Sequence, residues 1–400
     1  MRYIAAIVSL VIFCAAPASG QESLWESSSK EGTSLYKIGH YADAESYYLT
    51  ALKEAEKFGE FDTRLAMSAN NLGTLYFQEG RYSDAELMEQ RALAIHERVS
   101  SQDDPDMVIV LSNLGAICMM EARYSEAESF DKRVLEVRLR LFGEQSPKVA
   151  HILSNIGVLY FTEGEYPQAE TYYERALAIQ EKTLGPDHPD VATSLTNLGA
   201  VYREQGKYSK AGPLYERALA IREKTLGPEH PDVAIVLSNW ARLYQSERKF
   251  WDAKSLDERA LKIREKALGP EHPDVAASLN NTALLDKQLG NDTEAEPLFQ
   301  RAIGILKDTF GEEHPNTARV MLNLGTMYSD QGKFELAEPL LEKSLQTMQT
   351  VSPHNYEWLS QALNAYASLL AKTNRRAQAE VLQTRAMVYT AMFREARTKK

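Results

Sequence analysis

Four histidines, His188, His230, His272 and His314, stand 42 residues apart, and the first three head the triplet His-Pro-Asp. Histidine beside aspartate can hold a metal or move a proton, so the ladder invites a metal-centre or acid–base reading. The spacing argues against it. Stacked helical units place equivalent residues ~10 Å apart or more, because packed helices lie ~8–10 Å apart, whereas a zinc ion takes its ligands at ~2.0–2.3 Å. The architectural reading accounts for every residue. In GPDHPD (185–190) the glycine suits the left-handed position after a helix end, and Pro186 prevents continuation. Pro189 fits the first position of a new helix, where its missing N–H costs nothing, and Asp190 lies on the positive helix N-terminus. GEQSPK (143–148) and SQDDPD (101–106) keep this grammar with Ser146 and Asp104 as caps in place of histidine. The histidines are therefore expected to cap helices and to bind no metal.

No other residue set offers chemistry. The chain has no HExxH, no GxSxG, no phosphate loop and no dinucleotide fingerprint. Cys118 stands where other copies have Tyr76, Tyr160 and Tyr202, which makes it a core residue rather than a nucleophile. Tyr82, Tyr124, Tyr166 and Tyr208, one per copy, read as core packing at a helix junction. Trp251 takes the slot of Ser125 and Ser209 and is expected to be exposed. We expect no enzyme activity and no cofactor.

The elements that carry these residues repeat strictly. Asn71, Asn113, Asn155, Asn197, Asn239, Asn281 and Asn323 recur every 42 residues, and an alanine follows each by fourteen, from Ala85 to Ala337. A looser copy, with Gly32, Leu35, Gly39, Tyr41, Ala44, Ala51 and Leu52, lies 41 residues before its counterparts. Leu195, Leu198, Gly199 and Tyr202 share one helical face. After Gly206 a second helix carries Ala211, Tyr215, Ala218 and Arg222. SDAE (83–86), SEAE (125–128) and TEAE (293–296) read as capping boxes that open second helices. Pro213, Pro297 and Pro339 then fall in first turns, where proline is tolerated.

The pattern of Leu, Gly, Tyr, then Gly, then Ala and a later Ala-Leu resembles the tetratricopeptide repeat. The longer period, ending in RALAIREKTLGPEHPDVA, resembles the version found in kinesin light chains and many bacterial repeat proteins. The resemblance runs over roughly residues 28–398. It implies an all-α, right-handed superhelical solenoid of about nine helix pairs filling residues 21–400. Full-register units would run from about 62 to 398, after a looser first unit at about 28–58. It implies a non-catalytic scaffold or adaptor that binds protein or extended peptide in a concave groove. By the helical step, Asn197 lies about 150° from the buried stripe of its helix, on a face with Thr193, Ala200 and Glu204. In the tetratricopeptide family that edge lines the groove. The candidate peptide site is then Asn71, Asn113, Asn155, Asn197, Asn239, Asn281 and Asn323 with apolar Phe77, Met120 and Phe161 and charged Arg203, Glu204 and Arg242. Alternatively, each asparagine bonds a neighbouring helix and serves the array.

The two ends differ from the body. Arg2, the apolar run IAAIVSLVIFCAA and the small residues of PASG form an export signal over residues 1–20, too short for a comfortable membrane span. Its removal would take Cys14 and leave Cys118 alone, so packing rather than a disulfide must hold the fold. The expected location is secreted or periplasmic. Net charge is −11, yet residues 361–400 carry eight Lys and Arg against Glu380 and Glu395. An acidic body argues against nucleic acid as a partner, while the basic end could dock weakly on another copy. A self-associating structural role, or an accessory role beside a secreted or envelope enzyme, stand as alternatives.

Overall fold

The computed structural model describes residues 23–99, 104–353 and 355–398, with side chains to residue 393 in the last helix. The export signal expected over residues 1–20 lies outside the described residues. Among them are eighteen α-helices, one 3₁₀ turn at Glu56–Phe58 and no strand. They divide into two compact units at Gly143 and Glu144.

The first unit holds three helix pairs: α1 (Leu24–Lys37) with α2 (Tyr41–Ala55), α3 (Thr63–Gln78) with α4 (Tyr82–Val99), and α5 (Pro105–Met120) with α6 (Tyr124–Phe142). The second begins with α7 (Pro147–Glu163) and α8 (Tyr166–Leu184), α9 (Pro189–Glu204) and α10 (Tyr208–Leu226), and α11 (Pro231–Ser246) and α12 (Phe250–Leu268). It continues with α13 (Pro273–Leu289) and α14 (Asp292–Phe310), α15 (Pro315–Asp330) and α16 (Phe334–Val351), and α17 (Tyr356–Lys372) and α18 (Arg376–Thr398). Within each unit the second helix of a pair packs on the first helix of the next, so each unit is a stacked solenoid of helix pairs.

The links between pairs are built as the HPD motif implies. Gly185, Gly227 and Gly269 have φ near +90° and end α8, α10 and α12. His188, His230, His272 and His314 are N-caps, and each Nδ1 accepts the backbone N–H two residues on, at 3.1–3.2 Å. Asp104 and Ser146 do the same with carboxylate and hydroxyl oxygens, at 2.9 and 3.3 Å.

The link inside a pair differs from expectation. Second helices start before the supposed caps: α4, α6 and α14 open at Tyr82, Tyr124 and Asp292, so Ser83, Ser125 and Thr293 already lie within the helix. Arg123 and Asn291, the residues at the boundary, make no side-chain cap. The connection is too tight for one. Gly206 turns left-handed (φ +72°), Gly206 N–H donates to Arg203 O, and Lys207 N–H donates to Tyr202 O, which satisfies the end of α9 through backbone alone. Ala211 N–H then bonds to Lys207 O and starts α10. For the same reason Pro213, Pro297 and Pro339 stand sixth in their helices rather than in the first turn. The glutamates of the supposed boxes serve another purpose: Glu86 receives Arg123 of the next pair at 2.7–2.8 Å, and Glu296 receives Lys333 at 3.1 Å. Among the described residues one true capping box is formed. Ser23 and Glu26 bond each other's backbone N–H and start α1 at Leu24, earlier than the expected residue 28.

In six of the nine pairs a glycine lies under a larger side chain at the core, and Ala241, Ala283 and Ala367 take that slot in the others. A Cβ at Gly199 would lie 2.9 Å from Tyr215 Cζ, and one at Gly157 would lie 2.8 Å from Tyr173 Cε1. Both tyrosines are fully buried, as is Tyr48 over Gly32. Cys118 is buried, as its slot implies, and burial pushes its thiol up to about 12.

Candidate functional site

First helices are not amphipathic in the simple sense. In α9 every residue from Ser194 to Tyr202 is buried, because the helix touches its own second helix, the preceding one, and first helices on both sides. Asn197 is 1% exposed, and Asn71, Asn113, Asn239 and Asn281 are also buried; Asn155 and Asn323 are half-buried. The expectation of an open asparagine face therefore fails for five of the seven. Position around a single helix cannot report burial by neighbouring helices.

The asparagines have unequal partners. In the first unit Asn113 Nδ2 donates to Asn70 Oδ1 and Glu89 Oε1, both at 2.9 Å. In the second, Asn323 Nδ2 donates to Asn280 Oδ1 at 2.8 Å, which repeats that contact between pairs. Asn239 Nδ2 donates to Ile235 O of its own helix. Neither side-chain atom of Asn197 has a partner. Leaving buried polar groups unpaired costs about 1–3 kcal/mol each, so Asn197 is held ready to bond rather than satisfied.

The charged candidates gather around Tyr215 of α10. Arg203 and Arg242 are half-buried and Glu204 is exposed; Arg203 Nη2 pairs with Glu204 Oε1 at 2.5 Å, while Arg203 Nε has no partner. Under them lies Tyr215, whose buried hydroxyl lies beside the Arg203 guanidinium without a hydrogen bond of good geometry. Burial drives that phenol upward against the opposing charges of Arg203 and Arg242. Asp257 sits beyond, buried, with Oδ1 unpaired. Burial raises its carboxyl to about 7, against the pull of Arg242, Arg264 and Ser238. Arg264 donates to the hydroxyls of Ser238 and Ser278.

The apolar candidates are half-buried, with one edge open. Phe77 packs 5.6 Å from the Tyr82 ring, Phe161 packs edge-on 5.5 Å from Tyr166, and Met120 joins the cluster around Leu75, Tyr76 and Ile117. Trp251 is 68% exposed, as its slot suggested. Tyr82 and Tyr124 are buried, whereas Tyr166 and Tyr208 are only half-buried.

Residue-by-residue reading missed Glu89, Asp131 and Asp257. They occupy, in register, the second-helix slot that holds Tyr48, Tyr173, Tyr215, Phe299 and Leu341 elsewhere. All three are buried, and Glu89 Oε2 and Asp257 Oδ1 lack partners. A carboxylate in a slot that is aromatic or aliphatic in five of the other six copies, with Gln383 the sixth, was the available signal. Among the described residues no three His, Cys, Asp or Glu side chains come together as a metal site, and no helix is long and apolar enough to cross a membrane.

Stacked helix pairs of one length, with unpaired polar groups along their first helices, define a helical-repeat scaffold. The chain belongs to the tetratricopeptide repeat family, whose model matches residues 27–98, 106–182, 149–224, 196–266, 232–308 and 283–350. Similar solved structures include BtubC (BKLC) from P. vanneervenii, 27% identical over 58% of this chain and 91% of that one, with a TM-score of 0.44. A kinesin-light-chain-type array of nearly identical TPR-like repeats from Podosopora anserina is 29% identical over 51% of this chain and 97% of its own, with a TM-score of 0.43. The apo form of RapI shares the fold at 14% identity, over 70% of this chain and 96% of that one, with a TM-score of 0.52. No curated protein shows significant similarity to the chain.

Proposed function

We propose that the chain is a non-catalytic scaffold that takes an extended segment of another protein along the first helices of its second unit. The observation that carries this is the Asn197 amide on α9, neither of whose side-chain atoms has a hydrogen-bond partner. An amide that both donates and accepts matches a peptide backbone. Phe161 supplies an apolar edge, and Arg203 and Arg242 supply charge for side chains of the ligand. Asn197 is enclosed by the four helices packed on α9, so its amide would meet that backbone only if those helices part locally. In the first unit Phe77, Met120 and Asn113 would form the equivalent surface.

The test uses a random peptide library displayed on phage and selected on the purified chain. Phe161→Ala and Arg242→Ala should each weaken selected peptides by ~1–3 kcal/mol, and Asn155→Ala by less. Trp251→Ala, on the opposite helix layer, should leave affinity unchanged. Equal affinity in all four variants would remove the first-helix face from the account. We also propose that residues 1–20 direct export and are removed. N-terminal sequencing of the chain from its host checks this, with a start at Gln21 expected and an intact Met1 contrary to it.

A further inference from the structure

The two ends of the repeat array keep the apolar residues that internal pairs use to stack. Inside the second unit, Leu177 of α8 packs into the cluster of Val191, Ala192 and Leu195 on α9, and Leu219 of α10 packs on Val233, Ala234 and Leu237 of α11. In register, Leu261, Ile303 and Leu345 repeat the donor slot, and the next position is Met387 on α18. Leu65, Met107, Val149, Val191, Val233 and Val275 repeat the receiving slot and are all buried. Its first occurrence, 41 residues before Leu65, is Leu24 on α1. Met387 is 71% exposed and Leu24 is 56% exposed. Terminal repeats need a polar outer face for solubility, and at these slots Met387 and Leu24 do not supply one.

Two further slots continue in the same register. Glu45, Glu86, Glu170, Glu296 and Glu338 each pair with a basic residue at the turn of the following pair, from Arg81 to Arg375. Glu380 on α18 stands next in that row, and the matching turn residue of the first pair is His40. Ile38, at the same turn, is 67% exposed where Gln205 reaches Glu170 of the preceding pair. Charge agrees in sign as well. Residues 23–62 hold eight Asp and Glu against four Lys, while the C-terminal forty residues are basic.

We propose that copies of this chain stack end to end, α18 of one on α1 of the next, so that the junction repeats the packing between internal pairs. The contact is heterologous: Met387 of one copy meets Leu24 and Ile38 of another, and Glu380 faces His40. Such a contact leaves a free end on each side and builds chains of copies rather than closed dimers. The basic-to-acidic component weakens with salt, and the apolar component does not.

Sedimentation velocity over a concentration series tests this on the purified chain, its processed N-terminus established by mass spectrometry. Wild type should show a ladder of species that grows with concentration. Met387→Glu and Leu24→Glu should each lower association by about tenfold or more, because a buried unpaired charge is costly. Both residues are exposed, so both variants should melt like wild type. The decisive sample is the two variants mixed. One intact end from each should restore a heterodimer and nothing larger. A wild-type chain that stays monomeric at its solubility limit overturns the proposal. So does a Leu24→Glu chain that still dimerises, or a mixture that stays monomeric.

Discussion

Asp131 offers a sharp test of how the first unit is held together. It lies buried on α6, with Oδ1 3.3 Å from where a Cβ on Gly115 would stand. Burial raises its carboxyl from 3.8 to about 7; Arg138 opposes the shift and Glu128 adds to it. The sign follows from proton linkage. Below the unfolded pKa of 3.8 the group is protonated in both states and costs nothing. From there to about 7 the unfolded chain ionises and the folded one does not, so stability falls as pH rises, and above about 7 the loss is complete. At about 1.4 kcal/mol per pH unit, the whole loss is on the order of 4 kcal/mol, and roughly 3 kcal/mol of it falls between pH 5 and pH 8. Asp131→Asn keeps the shape and removes the ionisation. Urea unfolding of both proteins at pH 5 and pH 8 should show the variant's gain over wild type growing by roughly that 3 kcal/mol at the higher pH. A gain equal at both pH values, or a variant that loses most at pH 8, would mean that Asp131 is ionised and paired in the fold, and the reasoning would be wrong.

Two glycines should respond in opposite directions. Gly199→Ala forces a methyl to 2.9 Å from Tyr215 Cζ and should cost ~1–3 kcal/mol, whereas Gly212, in α10 with nothing within 4 Å, should stabilise by ~0.5–1 kcal/mol when changed to alanine; thermal melts of the two variants decide. Replacing His188, His230 and His272 together by serine should keep the fold, since Ser146 already caps α7 through its hydroxyl, and circular dichroism with zinc analysis should find native helicity and no stoichiometric metal lost.

Much of the fold was legible because it rests on local rules repeated at one period. The glycine at a helix end, the proline at a helix start and the cap between them act within six residues, and so GPDHPD could be read without knowledge of any neighbour. The in-pair junction was misread because two devices compete there. Ser83, Ser125 and Thr293 satisfy the letter of a capping box, yet the left-handed residues at Gly80, Ala122 and Gly290 close the preceding helix so tightly that the backbone does the work. The candidate site was legible in position but not in environment. Asn197, Arg203 and Arg242 lie on first helices, as the period implies, but the burial of Asn197 depends on four neighbouring helices, which no periodicity within one helix encodes. Glu89, Asp131 and Asp257 were visible only by comparing the same slot across copies, since a lone carboxylate in a helix ordinarily means a solvated face.

The central claim is that the first-helix face of the second unit holds the ligand. A library-selected peptide carrying a photoreactive phenylalanine analogue at its apolar position, irradiated on the folded chain and mapped by mass spectrometry, tests this most directly. The account predicts crosslinks on α7, α9 and α11, centred on Phe161, Arg203 and Arg242. Crosslinks confined to α8, α10 and α12, or to the loops around His188 and His230, would contradict it.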